Sequence, residues 1–298
     1  MASSQDLDFD TDGRNWPNRS ASRFVTAAGL RWHVQMLGDG PVLLLLHGTG
    51  AATHSWRGLI PLLSSRFRIV AVDLPGHGFT QAPPPELFTL PGMAAGVCDL
   101  LKALDLSPDL IAGHSAGAAV MLRMALDCRI APKGLVSLNG ALRPYGGDAA
   151  RWLSPLAKLL FVNSVVPRLF AWQAGHRAAV ERLIRNTGST IDAEGLEQYR
   201  ILVANPNHVA AALGMMGNWN LQPLSRDMTS LDIPLLLIAG LNDKAIKSDD
   251  ASLVRDTMKN ARVEVLRGLG HLAHEEAPAP VAALMLAFAE RAGIISAN

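Results

Sequence analysis

Residues 109–127 read DLIAGHSAGAAVMLRMALD, and they decide the fold. DLIAG has the short aliphatic character of a strand buried on both faces. AAVMLRMAL, from Ala118 onward, is built from helix formers with no breaker. Between them stands Gly113-His114-Ser115-Ala116-Gly117. A G-x-S-x-G at a strand–turn–helix junction is a nucleophile elbow. The glycines let strand and helix approach closely around a strained turn, so the serine hydroxyl projects from the carboxyl edge of the sheet. The next amide, that of Ala116, opens a helix, where developing negative charge is stabilised. The plainer alternative is a tight turn with an incidental serine, because 26 glycines make the pattern common by chance. The flanking strand and helix favour the elbow.

Outward from this turn the same rhythm repeats. VLLLLH (42–47), RIVAVD (68–73), GLVSLN (134–139), PLLLIAG (234–240) and RVEVLR (262–267) read as further strands. RFVTAA (23–28) and RWHVQML (31–37), separated by Gly29-Leu30, read as a hairpin. Helix-length stretches fall near 54–64, 90–104, 118–127, 248–258 and 279–291. This pattern predicts an α/β fold, a mostly parallel sheet of about eight strands with helices on both faces. The rhythm fails over 141–229, where SPLAKLLF, AAVERLIRN, AEGLEQYRILV and HVAAALGMMGN look helical. So long a structureless loop is improbable. An inserted helical cap (141–229) is therefore expected, dividing the core into 1–140 and 230–298. The first twenty or so residues look loosely ordered.

Composition narrows the function. Lys+Arg 27 against Asp+Glu 26 leaves a net charge of +1, so no field for nucleic acid exists. With 49% hydrophobic and 18% charged residues, the chain is too apolar for disorder. Two cysteines, Cys98 and Cys128, rule out a disulfide framework and a zinc knuckle. No G-x-x-x-x-G-K-[ST] occurs, which argues against ATP hydrolysis. MASSQDLDFD lacks the regions of a signal peptide, and no apolar run reaches the ~20 residues of a membrane span, so a cytoplasmic protein is expected. Leu153 to Trp172 reads as a lid helix pair or as an interfacial helix touching membrane; Pro155 and Pro167 favour the lid.

A nucleophilic serine needs a base, and the base needs orienting. His271, in RGLGHLAHEEAP beyond the last strand, returns to the sheet edge that carries Ser115. Asp243, in AGLNDKAI after PLLLIAG, fits the orienting acid. The other location for that acid, after GLVSLN, holds Asn139, which cannot carry charge. Asp249, Asp250 and Glu264 read as solvated. Thr49, in His47-Gly48-Thr49-Gly50, is the natural second oxyanion donor beside Ala116. His77 reads as structural. His274, Glu275 and Glu276 do not form H-E-x-x-H and have no third ligand, so they cap or precede the last helix, and neither metal nor cofactor is expected. Seven of the sixteen aromatics fall in the cap: Tyr145, Trp152, Phe161, Phe170, Trp172, Tyr199 and Trp219. They either pack it onto the core or line a pocket for an apolar small molecule. His114, Trp152, Phe170, Trp172 and Trp219 are the pocket candidates.

HGTG, DLPGHG, GHSAG, GLND and GHLAHEEAP occur in the order typical of the α/β-hydrolase fold family, and over essentially the whole chain the sequence resembles it. The resemblance implies a triad of Ser115, Asp243 and His271. Serine at the elbow argues against the haloalkane dehalogenase and epoxide hydrolase branches, which place aspartate there. DGRNWPNRSASRF, GLRWHVQ, LNGAL, VPRLFAW and MMGNWNL look like the magnesium-chelatase accessory proteins of bacteriochlorophyll biosynthesis. This implies a role in inserting magnesium into protoporphyrin IX, with a porphyrin and chelatase subunits as partners. Three readings stand: a serine hydrolase in that role, a non-catalytic porphyrin- or chelatase-binding protein, and a general carboxylesterase.

Overall fold

The computed structural model describes residues 6–127, 130–144, 167–168, 171 and 176–297. Trp152, Phe170 and Trp172 lie outside the described residues, as does most of the Leu153–Trp172 stretch. The strands are β1 (Ser22–Ala27), β2 (Leu30–Leu37), β3 (Val42–Leu46), β4 (Arg68–Val72), β5 (Leu110–His114), β6 (Gly134–Leu138), β7 (Leu235–Gly240) and β8 (Ala261–Leu266). They form one sheet in the order β1-β2-β4-β3-β5-β6-β7-β8. β2 runs antiparallel to both β1 and β4, and every other pairing is parallel. The described helices are α1 (Ile60–Leu63), α2 (Leu90–Ala103), α3 (Ala116–Asp127), α4 (Arg177–Asn186), α5 (Ala193–Val203), α6 (Pro206–Asn218), α7 (Gln222–Asp227), α8 (Ser248–Arg255), α9 (Ala273–Glu276) and α10 (Pro278–Arg291). This is the α/β architecture the strand spacing predicts.

Period-2 alternation sorts the aliphatic run of β3 between two cores. Leu44 and Leu46 join Trp32, Val70 and Ile111 under α2 and α3, while Leu43 and Leu45 join Ile69, Ala112, Val136, Trp56 and Phe288 under α10. All four leucines are fully buried. Each contributes about 1.5–3 kcal/mol relative to exposure. Such a strand has no solvent face, which is why it reads as continuous hydrophobicity.

The hairpin turn is Ala28-Gly29, one residue earlier than Gly29-Leu30, because Ala27 pairs with Leu30. Both turn residues take positive φ, 48° and 75°, as a two-residue turn matched to strand twist requires. Ala28 occupies a region costly for a side chain. Ala28→Gly should therefore raise the urea midpoint, stabilising the chain by about 0.5–1 kcal/mol after glycine's own entropy cost. A lowered midpoint would show that Ala28 is not strained there.

Two other segments depart from expectation. The stretch 54–64 is a 3-10 turn (Thr53–Trp56) followed by the short α1, because Pro61, without an N–H, sits in the first turn of a new helix. From Asp6 onward the amino-terminal segment is anchored rather than loose. Trp16 is buried, donates from Nε1 to Thr53 Oγ1 at 2.9 Å and stacks edge-on against Phe79. Arg19 donates to the carbonyls of Phe9 and Gly13, closing the segment on itself. Cys98, on α2, is disulfide-bonded, a link that the two-cysteine count does not predict.

Between Leu138 and Leu235 the described residues contain helices α4–α7 and no strand. Val180, Ile184, Leu196, Tyr199 and Val203 cluster with Ala51 and Leu272, whereas Leu224 and Met228 belong to the core under α3. Helices α4 and α5 thus pack on the loops that carry Ala51 and Leu272, beyond β3 and β8. No helix among the described residues is long and apolar enough to cross a membrane.

Candidate active site

Ser115 stands between β5 and α3 with φ 50°, the left-handed conformation a nucleophile elbow imposes. The flanking glycines are sterically required. A Cβ on Gly113 would lie 2.4 Å from the Gly117 carbonyl oxygen, and one on Gly117 would lie 2.1 Å from that of Leu46. Helix α3 can therefore start directly against the ends of β3 and β5 only if both positions lack side chains. Ser115 N donates to Leu138 O, which ties the elbow to the neighbouring strand β6.

The turn after β3 closes on the same point. A Cβ on Gly48 would meet Ser115 Cβ at 3.0 Å. His47 Nε2 accepts from Leu74 N at 2.9 Å, so its Nδ1 holds the proton donated to Gly48 O at 2.8 Å. Burial pushes this imidazole down, keeping it neutral. Thr49, next in the chain, donates from Oγ1 to the Met215 sulfur of α6.

Asp243 and His271 meet across the loops that follow β7 and β8. His271 Nδ1 lies 2.8 Å from Asp243 Oδ2, with the carboxylate side chain 1% exposed. Because a carboxylate only accepts, Nδ1 carries the proton and Nε2 is left without one. Asp243 Oδ1 accepts from the amides of Ala245 and Ile246, both at 2.8 Å. Asn139 Nδ2 adds a bond to Oδ2 at 2.8 Å. Four donors thus fix the Asp243 carboxylate. Asn139, excluded as the orienting acid by its lack of charge, sits instead as a donor to Asp243. Behind it a cavity of about 20 Å³ is lined by Ser137, Asn139 and Asp243. Ser137 Oγ and Asn139 Oδ1 are buried there without a partner among the described residues, in room for about one water.

His114 and His274 flank the base. His114 Nε2 donates to His271 O at 2.9 Å, and its ring lies 4.8 Å from that of His271 and 4.5 Å from that of His274. His114, a pocket candidate by sequence, is 2% exposed and holds the backbone of His271. Burial, with the neighbouring imidazoles, pushes its pKa well below the ordinary range; burial and the His271 and Arg57 charges push His274 down to about 3. Neither then carries a charge opposing an imidazolium on His271.

Glu275 belongs to a buried network that sequence reasoning missed. It accepts from Ser55 Oγ, Arg57 Nη1 and Tyr199 OH, each at 2.7 Å. Burial pushes its carboxyl up, while Arg57, Ser55 and Tyr199 pull the other way. Arg57 also pairs with Asp192, the N-cap of α5. A glutamate beside a helix start looks like a surface cap, and only the three partners from distant segments reveal otherwise. Trp219 donates from Nε1 to Phe88 O and is half-buried against the core under α3. Among the described residues no group of three or more His, Cys, Asp or Glu could hold a metal ion.

The comparisons with known proteins agree with this geometry. A family model described as the alpha/beta hydrolase family matches residues 43–284. The magnesium-chelatase 30 kDa subunit of Rhodobacter capsulatus is 36% identical over 278 residues, 93% of this chain and 97% of that protein. An α/β-hydrolase fold protein from Burkholderia ambifaria superposes with TM-score 0.76 at 24% identity, covering 90% of this chain and 97% of that one. A thermophilic esterase from Thermogutta terrifontis gives TM-score 0.70 at 25% identity, covering 91% and 98%. Sheet order, elbow and sequence likeness converge: the chain belongs to the α/β-hydrolase family.

Proposed function

We propose that this chain is a serine hydrolase acting on an ester or related acyl group, with Ser115, His271 and Asp243 as its triad. The observation that carries the reading is the Asp243–His271 pair, oriented so that Nε2 is free to act as base, beside an elbow serine at φ 50°. Ser115 Oγ attacks the acyl carbon as His271 Nε2 takes its proton. The Thr49 and Ala116 amides receive the oxyanion. His271 returns the proton to the departing alcohol, leaving an acyl-enzyme; it then activates a water that hydrolyses the acyl-enzyme and frees the acid. Aspartate-nucleophile chemistry of the epoxide hydrolase kind is disfavoured by serine at 115.

The physiological role we assign is accessory to magnesium insertion into protoporphyrin IX, with chelatase subunits as partners and an apolar substrate, porphyrin-like or porphyrin-linked, under a helical cap. Its support is the 36% identity over 97% of a protein named as a magnesium-chelatase subunit. That same name favours a second reading, a non-catalytic porphyrin- or chelatase-binding protein on this fold. A general carboxylesterase is the third.

An active-serine fluorophosphonate probe separates them. Stoichiometric labelling of the wild type that is lost in Ser115→Ala is expected. Absence of labelling in folded wild-type protein, together with a Soret shift of protoporphyrin IX that survives Ser115→Ala, would establish the binding reading instead. Protoporphyrin IX accumulating in cells that carry Ser115→Ala would tie catalysis to the magnesium step.

A further inference from the structure

The insertion between β6 and β7 does more than cover the sheet edge. Its turn at residues 187–190, between α4 and α5, is wedged between the loop that carries Asp243 and the loop that carries His271. On the acid side, Lys244 N donates to Thr187 O at 3.0 Å. Gly188, at φ 88°, packs so tightly that an added Cβ would lie 2.0 Å from Asn242 O. On the base side, a Cβ on Gly270 would lie 2.3 Å from the Gly188 carbonyl carbon and oxygen and 2.5 Å from Ser189 Oγ. Ser189 Oγ accepts from Leu272 N at 2.8 Å. Thr190 N donates to Glu276 Oε2, whose other oxygen accepts from Gly270 N. Contacts therefore fall on the residues directly before and after both Asp243 and His271.

Ser189 is 1% exposed. Its Oγ accepts from the amide next to His271. The β7 and β8 loops touch each other through Asn242 N to Leu269 O and through the close approach of Gly240 to Gly270. The turn is the third body that fixes their separation. A segment so placed controls the Asp243–His271 distance, and a displacement of the insertion reaches the base through backbone contacts rather than through the pocket.

We propose that the Thr187–Thr190 turn is a positioning element for the Asp243–His271 pair, with Ser189 as its principal positioning residue, so that the seating of the insertion sets the competence of the base. This rests on reading that pair as acid and base of the triad. The proposal is tested with Ser189→Ala, the conservative Ser189→Thr, and Val97→Ala, which opens a cavity in the core under α2, outside the cluster through which the insertion seats. Two readouts are taken: kcat and KM for p-nitrophenyl butyrate, and the downfield proton resonance of the His271 Nδ1–H, assigned by its loss in Asp243→Ala.

Ser189→Ala is expected to move or broaden that resonance and to lower kcat about ten- to a hundredfold at little-changed KM, the scale of a small misplacement of reacting groups. Ser189→Thr, which keeps the acceptor oxygen, should restore both, and Val97→Ala should leave the resonance in place. A wild-type resonance in Ser189→Ala, or the same displacement in Val97→Ala, overturns the proposal. The resonance needs no turnover. If the wild type does not hydrolyse the ester, the hydrolase reading fails on its own while the resonance still decides the positioning role.

Discussion

Asp243→Asn should lower kcat for ester hydrolysis by about 10⁴-fold at neutral pH while leaving the fold intact, as loss of the correct histidine tautomer does in serine enzymes. The direction follows from the four donors around the carboxyl group. Oδ1 accepts from the amides of Ala245 and Ile246, so in the variant the carbonyl oxygen of asparagine must take that position. Its NH₂ then occupies the place of Oδ2, facing His271 Nδ1. An NH₂ donates, which forces Nδ1 to accept and puts the ring proton on Nε2. The base then presents a proton to Ser115 and can no longer take one. KM should change little, because the acid does not touch substrate. Asn139 already reaches Oδ2, so adding Asn139→Asp to Asp243→Asn should recover part of the activity from the neighbouring strand. Unchanged kcat in Asp243→Asn would remove Asp243 from the triad.

Acid should unfold this protein earlier than its carboxylates alone would require. Eight of its nine histidines are buried around the carboxyl edge of the sheet. Burial pushes the imidazoles of His54, His77 and His114 well below their ordinary range, His208 to about 4 and His274 to about 3. In the unfolded chain each returns to about 6.5. Below that value the unfolded state binds more protons than the folded state, so stability falls as pH falls, until the folded values are reached. One such imidazole costs about 2 kcal/mol between pH 7 and 5, so His208 and His274 together remove about 4 kcal/mol from an ordinary total of about 5–15.

Asp73 behaves differently in the same range. Burial would raise its carboxyl, but the His33 charge and its 2.7 Å hydrogen bond overcome this and hold it well below the carboxylate range. Its contribution is complete above about pH 4 and is lost only as pH drops through the depressed folded value. The loss at pH 5–6 is therefore attributable to the imidazoles. Urea midpoints should fall steadily from pH 7 to pH 5, with a slope equivalent to uptake of at least two protons on unfolding. A flat midpoint over that interval would mean that the buried histidines are already protonated in the fold.

Much of the architecture is legible in local sequence. Strands buried on both faces, such as VLLLL and PLLLI, have no polar side and announce themselves as unbroken aliphatic runs. The elbow is legible because Gly113 and Gly117 stand where any side chain would strike backbone. Where expectation failed, pairing and packing between segments decided. The hairpin turn slipped by one residue because cross-strand register, not the glycine, set its place. The amino-terminal segment was pinned by Trp16 reaching Thr53, 37 residues away.

The site divides in the same way. Ser115, His271 and Asp243 could be singled out as candidates from the sequence because each follows a recognisable strand in a fixed order. Asn139, Glu275 and Ser189 could not. Asn139 looked like a disqualified acid and Glu275 a helix-capping charge, and Ser189 stands in no motif. Their roles arise from partners 104, 76 and 83 residues away, respectively. By itself the sequence determined the strand–helix alternation and the residues at each strand end, because backbone sterics and burial act locally. Only the tertiary structure decided how the Asp243 and His271 side chains are held, because that depends on segments distant in sequence, residues 187–190 among them, meeting the loops after β7 and β8.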